Sequence, residues 1–256
     1  MSTGPLLRIP DGQGDPFFGR QWAYFCDAEE AKFRWQTGAP VFAATERDLV
    51  LAAAGSGRFL EVGCGEGGNL FHLGPRQDLT VGLDYSRAKL GFAAGAVPWG
   101  RFVGGNALCL PFRDGAFDRV FCRDVLHHLP EERRRDAVVE LVRVCSAGGE
   151  IVVIEANGRN PLIAALAMVT PAERGLFRST PNRVAALVRG LTPALALAMA
   201  QPLPMARAVL HYRYGVPALG SRAWAACLFR RMDRIARCLV PRSLWAYVVI
   251  RARRAG

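Results

Sequence analysis

The sequence predicts an α/β fold: a doubly wound, seven-stranded, mostly parallel sheet with helices on both faces and a C-terminal helical insertion. Three observations predict it. Short apolar runs alternate with helical stretches at even spacing between residues 58 and 156. The first of these runs ends in a cluster of glycines, and a β-rich run at 243–254, with an apolar run at 194–204 that is open to either strand or helix, extends the strand set.

Taken in order, residues 1–20 read as a tail or arm, and Gln21 to Gln36 is rich in aromatics (Trp22, Tyr24, Phe25, Phe33, Trp35). Thr45 to Ala54 reads as a helix leading into Gly-Ser-Gly. The strand candidates that follow are 58–63, 79–84, 101–107, 117–124 and 149–156. Helices fit between them at Asn69–Leu73, Ser86–Ala94 and Pro130–Val144. The last opens with Pro and acids, as helix starts do, and places Val138, Leu141, Val142 and Cys145 on one face. Paired glycines, Gly148 and Gly149, read as a turn before the fifth strand. Beyond Glu155 the pattern gives an apolar helix after Asn160, a Pro-started turn, and a helix before Gly190. Residues 194–204 are ambiguous between strand and helix. Residues 221–240 form a basic amphipathic helix with Trp224, Leu228, Ile235 and Leu239 on one face and Arg230, Arg234 and Arg237 away from it. Residues 243–254 read as a closing strand.

The composition bounds the function classes. With 256 residues, 51% of them hydrophobic, the chain has ample material for one large folded domain and is not a disordered protein. Its seven cysteines are scattered without a CxxC pair, which argues against a zinc ribbon or a disulfide framework and for a reduced, cytoplasmic setting. The opening residues carry Pro, Gly and Asp where a signal peptide needs an unbroken apolar stretch. No run approaches the roughly 18–20 apolar residues of a spanning helix. The chain is therefore expected neither to be exported nor to span a bilayer.

Charge is unevenly placed. Residues 1–159 hold 18 basic and 20 acidic side chains, net −2; residues 160–256 hold 15 arginines and only Glu173 and Asp233 as acids, net +13. Of 33 basic residues, 31 are arginine, which in part reflects a GC-rich coding sequence, but base composition does not explain why acids vanish after residue 159. The asymmetry points to an anionic partner. The first reading is a solvated face of an arginine-rich protein. Next comes an anionic membrane surface, with Trp224, Leu228 and Phe229 entering the interface and arginines meeting headgroups. A related option is an apolar or phosphorylated substrate gripped by these helices. Nucleic acid is not expected, because no RNA-binding motif accompanies the charge.

The strongest chemical signal is Phe59–Leu70, FLEVGCGEGGNL. A strand delivers Glu61, then Gly63, Gly65, Gly67 and Gly68, into a turn that enters a helix. Missing Cβ atoms let a ligand approach the backbone. Gly63 to Gly68 also satisfies GxGxxG, with Asp84 near the dinucleotide spacing, so this motif alone leaves a nicotinamide and a sulfonium nucleoside both open. Glu61 separates them: a carboxylate at the strand end suits the ammonium of an amino-acid moiety and is a poor neighbour for a pyrophosphate.

Together with V-G-L-D-x-S (81–86), L-P-F-x-D-G-x-F-D (110–118) and V-L-H-H-L (125–129), the E-V-G-C-G-x-G segment resembles class I S-adenosylmethionine-dependent methyltransferases, in particular the broad branch related to ubiquinone and menaquinone methyltransferases. The resemblance covers residues 58–157. It implies a Rossmann-like methyltransferase domain over 46–256, an N-terminal arm or lid over 1–45, and acceptor-pocket or lid helices within 160–240. It implies S-adenosyl-L-methionine as cofactor, with Gly63, Gly65 and Gly67 under its methionine part, Glu61 near its amino group, Asp84 on the ribose hydroxyls and Tyr85 flanking adenine. Asn106 and Ala107 fall at the adenine edge, where the family usually has Asp at position 106. Arg123 and Asp124 fall near the sulfonium.

Methyl transfer requires alignment and, for hydroxyl or amine acceptors, removal of a proton. The base candidates are His127, His128 and Asp124, with His211 on a segment that could form a lid. Blander roles are expected elsewhere: Phe112, Phe117 and Asp118 fix a loop, Cys64 is a small filler, His72 packs, and Arg133–Arg135 form a solvated helix face. No metal site is expected. The acceptor implied is small and apolar, aromatic or lipid-like; the alternatives are a non-catalytic cofactor-binding scaffold and a peripheral membrane protein acting through its basic C-terminal helices.

Overall fold

The computed structural model describes residues 26–41, 47–76, 78–192, 194–203 and 221–256. In chain order the elements are α1 (Glu30–Gly38), α2 (Arg47–Ala54), β1 (Phe59–Val62), α3 (Gly68–Leu73), β2 (Thr80–Asp84), α4 (Arg87–Ala96), β3 (Arg101–Gly104) and β4 (Phe117–Arg123). There follow α5 (Arg134–Val144), β5 (Cys145–Ala156), α6 (Pro161–Val169), α7 (Pro181–Val188), β6 (Ala194–Ala200), α8 (Ala223–Leu239) and β7 (Tyr247–Arg253). A 3₁₀ segment, Pro171–Arg178, lies between α6 and α7.

The seven strands form one sheet in the order β3-β2-β1-β4-β5-β7-β6. The first five are parallel, and β7 runs antiparallel to both β5 and β6. Because the chain winds outward from β1 in both directions, a crevice opens beyond the carboxyl ends of β1 and β4. Both faces of the central strands are covered, so these strands read as continuous apolar runs whose side chains alternate between two cores. Leu60, Val62, Val120, Cys122, Ile151 and Val153 pack with Val138 and Leu141 of α5 and Val184 and Val188 of α7. Phe59, Phe121, Val152 and Ile154 pack on the other face with Ala53, Leu70 and Ile163 of α2, α3 and α6. Glu61 belongs by alternation to the second face, opposite Phe121 in the register.

Two sequence expectations are corrected here. The strand β5 starts at Cys145 rather than Gly149, and Gly148 and Gly149 form a bulge inside it rather than a preceding turn. The register jumps from Phe117↔Cys145 to Arg119↔Glu150, Gly148 takes φ 72°, and Arg254 exchanges backbone hydrogen bonds with Gly148 and Gly149. The arginine run is not uniformly solvated either. Arg133 and Arg135 are exposed, but Arg134 is buried, its guanidinium donating to the carbonyls of Leu129 and His127. Those carbonyls close a short turn after β4 and have no helical partner of their own, so a buried donor is needed there. Asp118 holds the loop end instead of the site: its carboxylate accepts from the Arg58 backbone and guanidinium and from the Ser146 hydroxyl.

The carboxyl ends of β4 and β5 are tied by one buried side chain. Glu155 Oε1 accepts from the amides of Val125 (3.0 Å) and Leu126 (2.8 Å), and its Oε2 lies 2.6 Å from His127 Nδ1. His127 Nε2 faces Glu173 Oε2 of the 3₁₀ segment at 3.3 Å. Burial alone would lower the pKa of His127, but Glu155 and Glu173 outweigh it and push the imidazole up to about 9. The folded-state value exceeds the ordinary 6.5, so the charged ring stabilises the fold fully below about pH 6.5, and that stabilisation is lost as pH rises through about 9. The variant His127→Gln should therefore melt well below the parent at pH 6. The gap should narrow by roughly 3 kcal/mol by alkaline pH, as measured by denaturant unfolding across the pH range; a gap that does not change with pH would refute the assignment.

Candidate functional site

The glycine turn after β1 is laced to the end of β2. Leu83 carbonyl accepts from the amides of Gly63 and Cys64, and Asp84 Oδ2 accepts from the amide of Gly65 at 2.8 Å. The other oxygen, Asp84 Oδ1, accepts from Ser86 N at 2.9 Å. Each carboxylate oxygen keeps a further lone pair. Gly63, Gly65 and Gly67 all adopt positive φ (76°, 53° and 83°), which side chains other than glycine's resist. Their surroundings differ. Val125 packs directly on Gly63, Ala93 and Val97 crowd Gly67, and Gln36 of α1 covers Gly68. At Gly65 the nearest neighbour to an added Cβ would be Lys32 Nζ, 3.5 Å away, so Gly65 presents the most open backbone of the turn.

Glu61 is almost wholly buried at the end of β1. Its Oε1 accepts from Asn69 Nδ2 at 2.6 Å, whereas Oε2 is buried with no hydrogen-bond partner. Burial pushes this carboxyl up to about 8, against the opposing pull of Asn69 and of the nearby Arg123 guanidinium. A carboxylate in this state favours an added cationic donor. Asn69, which orients it, carried no sequence signal beyond its place at a helix start.

A second acid of the turn has a different task. Glu66, also buried, binds Lys32 Nζ at 2.7 Å, stands 3.6 Å from Lys89 Nζ, and accepts from the amide of Glu29. Burial would raise its pKa, but the two ammonium groups outweigh burial and lower it. The N-terminal helix α1 and the helix α4 are thereby fastened to the glycine turn. Lys32 and Lys89 are the only lysines of the chain. Their departure from an otherwise arginine-only composition was the available signal.

Tyr85 is half-buried beside Asp84, and burial raises its hydroxyl pKa. Asn106 Oδ1 accepts from the amide of Leu108 at 2.9 Å, so this amide oxygen shapes its own turn. Ala107 packs against the core beneath it. Cys64 is buried, and the ring of His72 is held by the Gln36 carbonyl.

Across the crevice, Arg123 is buried at the end of β4, its Nε 3.5 Å from Asp124 Oδ2 and its guanidinium 5.5 Å from the centre of the Tyr247 ring. Asp124 takes a left-handed backbone conformation, φ 56°, strained for a residue that is not glycine. His128 is half-buried, its ring centroid 4.0 Å from that of His127. The ring nitrogens of this pair and a Glu173 oxygen lie within 4.8 Å of one another. A cleft of about 160 Å³ opens behind His127, lined by Leu126, Arg134, Ser179, Val184 and Leu187 among others, on the α5–α7 side rather than beside the glycine turn. The two halves of the site meet where Val125 covers Gly63 and where Arg123 faces Glu61. Glu155 and Glu173, both outside the motifs, complete the His127 environment. His211, Trp22 and Tyr24 lie outside the described residues.

Comparison with known proteins bears on this geometry. The family model described as "Methyltransferase domain" matches residues 60–153. The chain is 30% identical over 153 residues to ajmaline N-methyltransferase of Rauvolfia serpentina, covering 57% of this chain and 51% of that protein. It is 32% identical over 110 residues to the chloroplastic tocopherol O-methyltransferase of Arabidopsis thaliana, covering 40% and 31%. The chain thus spans about half the length, or less, of these curated relatives. In fold it matches the geranyl diphosphate C-methyltransferase of Streptomyces coelicolor A3(2), solved with Mg²⁺, geranyl diphosphate and S-adenosyl-L-homocysteine, with TM-score 0.59, 17% identity, and 94% and 99% of the two chains covered. Residues 60–153, which carry the glycine turn, Asp84 and the turn after β4, match a methyltransferase domain, and the seven-stranded sheet has the Rossmann-like methyltransferase fold.

Proposed function

We propose that the chain is an enzyme that moves a methyl group from S-adenosyl-L-methionine to a small, apolar, aromatic or lipid-like acceptor. The observation that carries this reading is Glu61 Oε2, buried and without a hydrogen-bond partner at the glycine turn. That atom fits the ammonium end of an amino acid, and Asp84, with a lone pair left on each oxygen, fits a pair of ribose hydroxyls. The open backbone at Gly65 fits close approach of the ligand. Tyr85, Asn106 and Ala107 would border the base, Gly63 and Gly67 would shape the turn, and Arg123 would balance Glu61. When bound, S-adenosylmethionine supplies a methyl group made electrophilic by its sulfonium.

The protein's own part is to hold the acceptor in line and to take up its proton. His127, charged between Glu155 and Glu173, has no free lone pair at neutral pH, so we assign it a positioning role rather than that of base. His128 is the base in this reading, with Asp124 as the competing group. Residues 26–41, fastened through Lys32, and the 3₁₀ segment, fastened through Glu173, would wall the acceptor space as arm and lid. The apolar acceptor is supported by the aromatic N-terminal segment and by relatives whose names give ajmaline, tocopherol and geranyl diphosphate. The alternative of a non-catalytic scaffold predicts cofactor binding without turnover on any panel of such acceptors.

Three outcomes test the reading by calorimetric titration and turnover assays. Affinity for S-adenosylhomocysteine should fall about tenfold per pH unit below 8, because Glu61 must lose its proton to meet the ammonium, and Glu61→Gln should flatten that dependence. Asp84→Ala should weaken cofactor binding by roughly a hundredfold. It should also lower the melting temperature, since the amides of Gly65 and Ser86 lose their acceptor. His128→Ala should leave cofactor affinity intact and cut kcat by about 10²–10⁴ for a hydroxyl or amine acceptor. A parent protein that takes up no cofactor even at high micromolar concentration would end the proposal.

A further inference from the structure

The sequence put Trp224, Leu228 and Phe229 of α8 at an interface; Trp224 and Leu228 are exposed, but Phe229 turns inward with Ala225, Ala226 and Ala236. The larger apolar side chains, at positions 224, 228, 232, 235 and 239, follow helical spacing along an adjoining face that is turned to solvent. Trp224 is 60% exposed, Ile235 60% and Leu239 75%, with Leu228 and Met232 also exposed. The exposed cysteines 227 and 238 extend the same stripe. An exposed apolar stripe along the full length of a surface helix is not the usual surface of a monomer and marks an interaction site.

Charge identifies the occupant. Residues 221–256 contain nine arginines and one acid, Asp233. That acid is already used: it accepts from Arg237 Nη2 at 2.9 Å and from the amide of Leu203. Arg230, Arg231 and Arg234 are exposed; by helical spacing Arg231 borders Trp224 and Ile235, Arg234 follows next around the helix, and Arg230 lies on the side away from the stripe. A second copy of the chain laid on this face would bring arginines against arginines with no spare acid on the helix to meet them. A bilayer of anionic lipid supplies both missing counterparts, acyl chains for the stripe and phosphates for the guanidinium groups, whose long stems allow the charge to reach the headgroups. No helix among the described residues is long and apolar enough to cross a membrane, so the mode is docking in the interface plane.

We infer that α8 is an interfacial helix that docks this protein on anionic lipid surfaces through Trp224, Leu228, Met232, Ile235 and Leu239, with Arg231 and Arg234 engaging headgroup phosphates. The inference stands on the exposed stripe and its charge, independently of the methyl-transfer reading. It also gives a lipid-like acceptor a route to the enzyme.

The test is co-sedimentation of the full chain with vesicles of phosphatidylcholine alone and with vesicles that also carry phosphatidylglycerol. The protein should sediment with the anionic vesicles, less as salt is raised, and should stay in solution with the neutral ones. The triple variant Trp224→Ser, Ile235→Ser, Leu239→Ser should bind at least about tenfold more weakly. The variant Arg231→Gln, Arg234→Gln should lose about fivefold per arginine. Melting temperature and cofactor titration of each variant, expected to match the parent, show that the fold is intact. Free inorganic phosphate should not compete at millimolar levels, which distinguishes a lipid surface from a phosphate site. Equal partitioning onto neutral vesicles, no partitioning onto anionic ones, or unchanged binding by the triple variant would overturn the inference. So would a self-association that the triple variant abolishes, since a second copy would then cover the stripe. Vesicle binding without cofactor binding would leave this inference standing and remove the enzymatic one.

Discussion

The bond from the Gly65 amide to the Asp84 carboxylate fixes how the ends of β1 and β2 meet, and the crevice is built around that junction. A backbone N–H in a buried turn must find an acceptor, and no strand or helix supplies one at this place. Asp84 does so while holding Ser86 with its other oxygen, and the Ser86 side chain in turn caps the start of α4. With the turn fixed there, Glu66 is brought between Lys32 and Lys89 and recruits α1 and α4 to the same place. The open backbone at Gly65 and the placement of α1 and α4 thus follow from one carboxylate pairing with one amide.

Two perturbed groups on either side of the crevice carry opposite meanings. His127 has a raised pKa because two carboxylates face it: Glu155 is bonded to Nδ1, and Glu173 lies 3.3 Å from Nε2. Glu61 has a raised pKa because it is unsatisfied: burial dominates, and one oxygen has nothing to accept from. A shifted pKa marks a functional site only when the cause is known. Here the cause is carboxylate neighbours for one residue and burial for the other.

The shortage of acids after residue 159 gains a structural account. Both acids in that stretch are placed for a specific partner, Glu173 against His127 and Asp233 against Arg237. Glu173 fastens the 3₁₀ segment over the turn after β4, where Gly175 also packs on the His127 carbonyl without room for a side chain. Asp233 ties the amide of Leu203 to the underside of α8 and leaves the outer face of that helix purely apolar and basic.

The sequence by itself determined the sheet and the outline of the site. Period-two and near-continuous apolar runs, glycines after the first of them, and acids at fixed spacing are local patterns, and local patterns are what a parallel α/β sheet imposes on its chain. They located β1 to β4 to within a few residues and singled out Glu61, Asp84 and the histidine pair. The start of β5 was missed because a bulge is stabilised by Arg254, just past the end of β7 and more than a hundred residues away. Arg134 was misplaced because its reason to be buried is two carbonyls of a turn that closes only after folding. Which histidine is locked, which carboxylate is left short of a partner, and which face of α8 turns outward depend on contacts between distant segments. A helix pattern gives the angle between two faces but not which of them meets the protein; packing decided that by seating the small alanines against the body and leaving Trp224 and Leu239 outside.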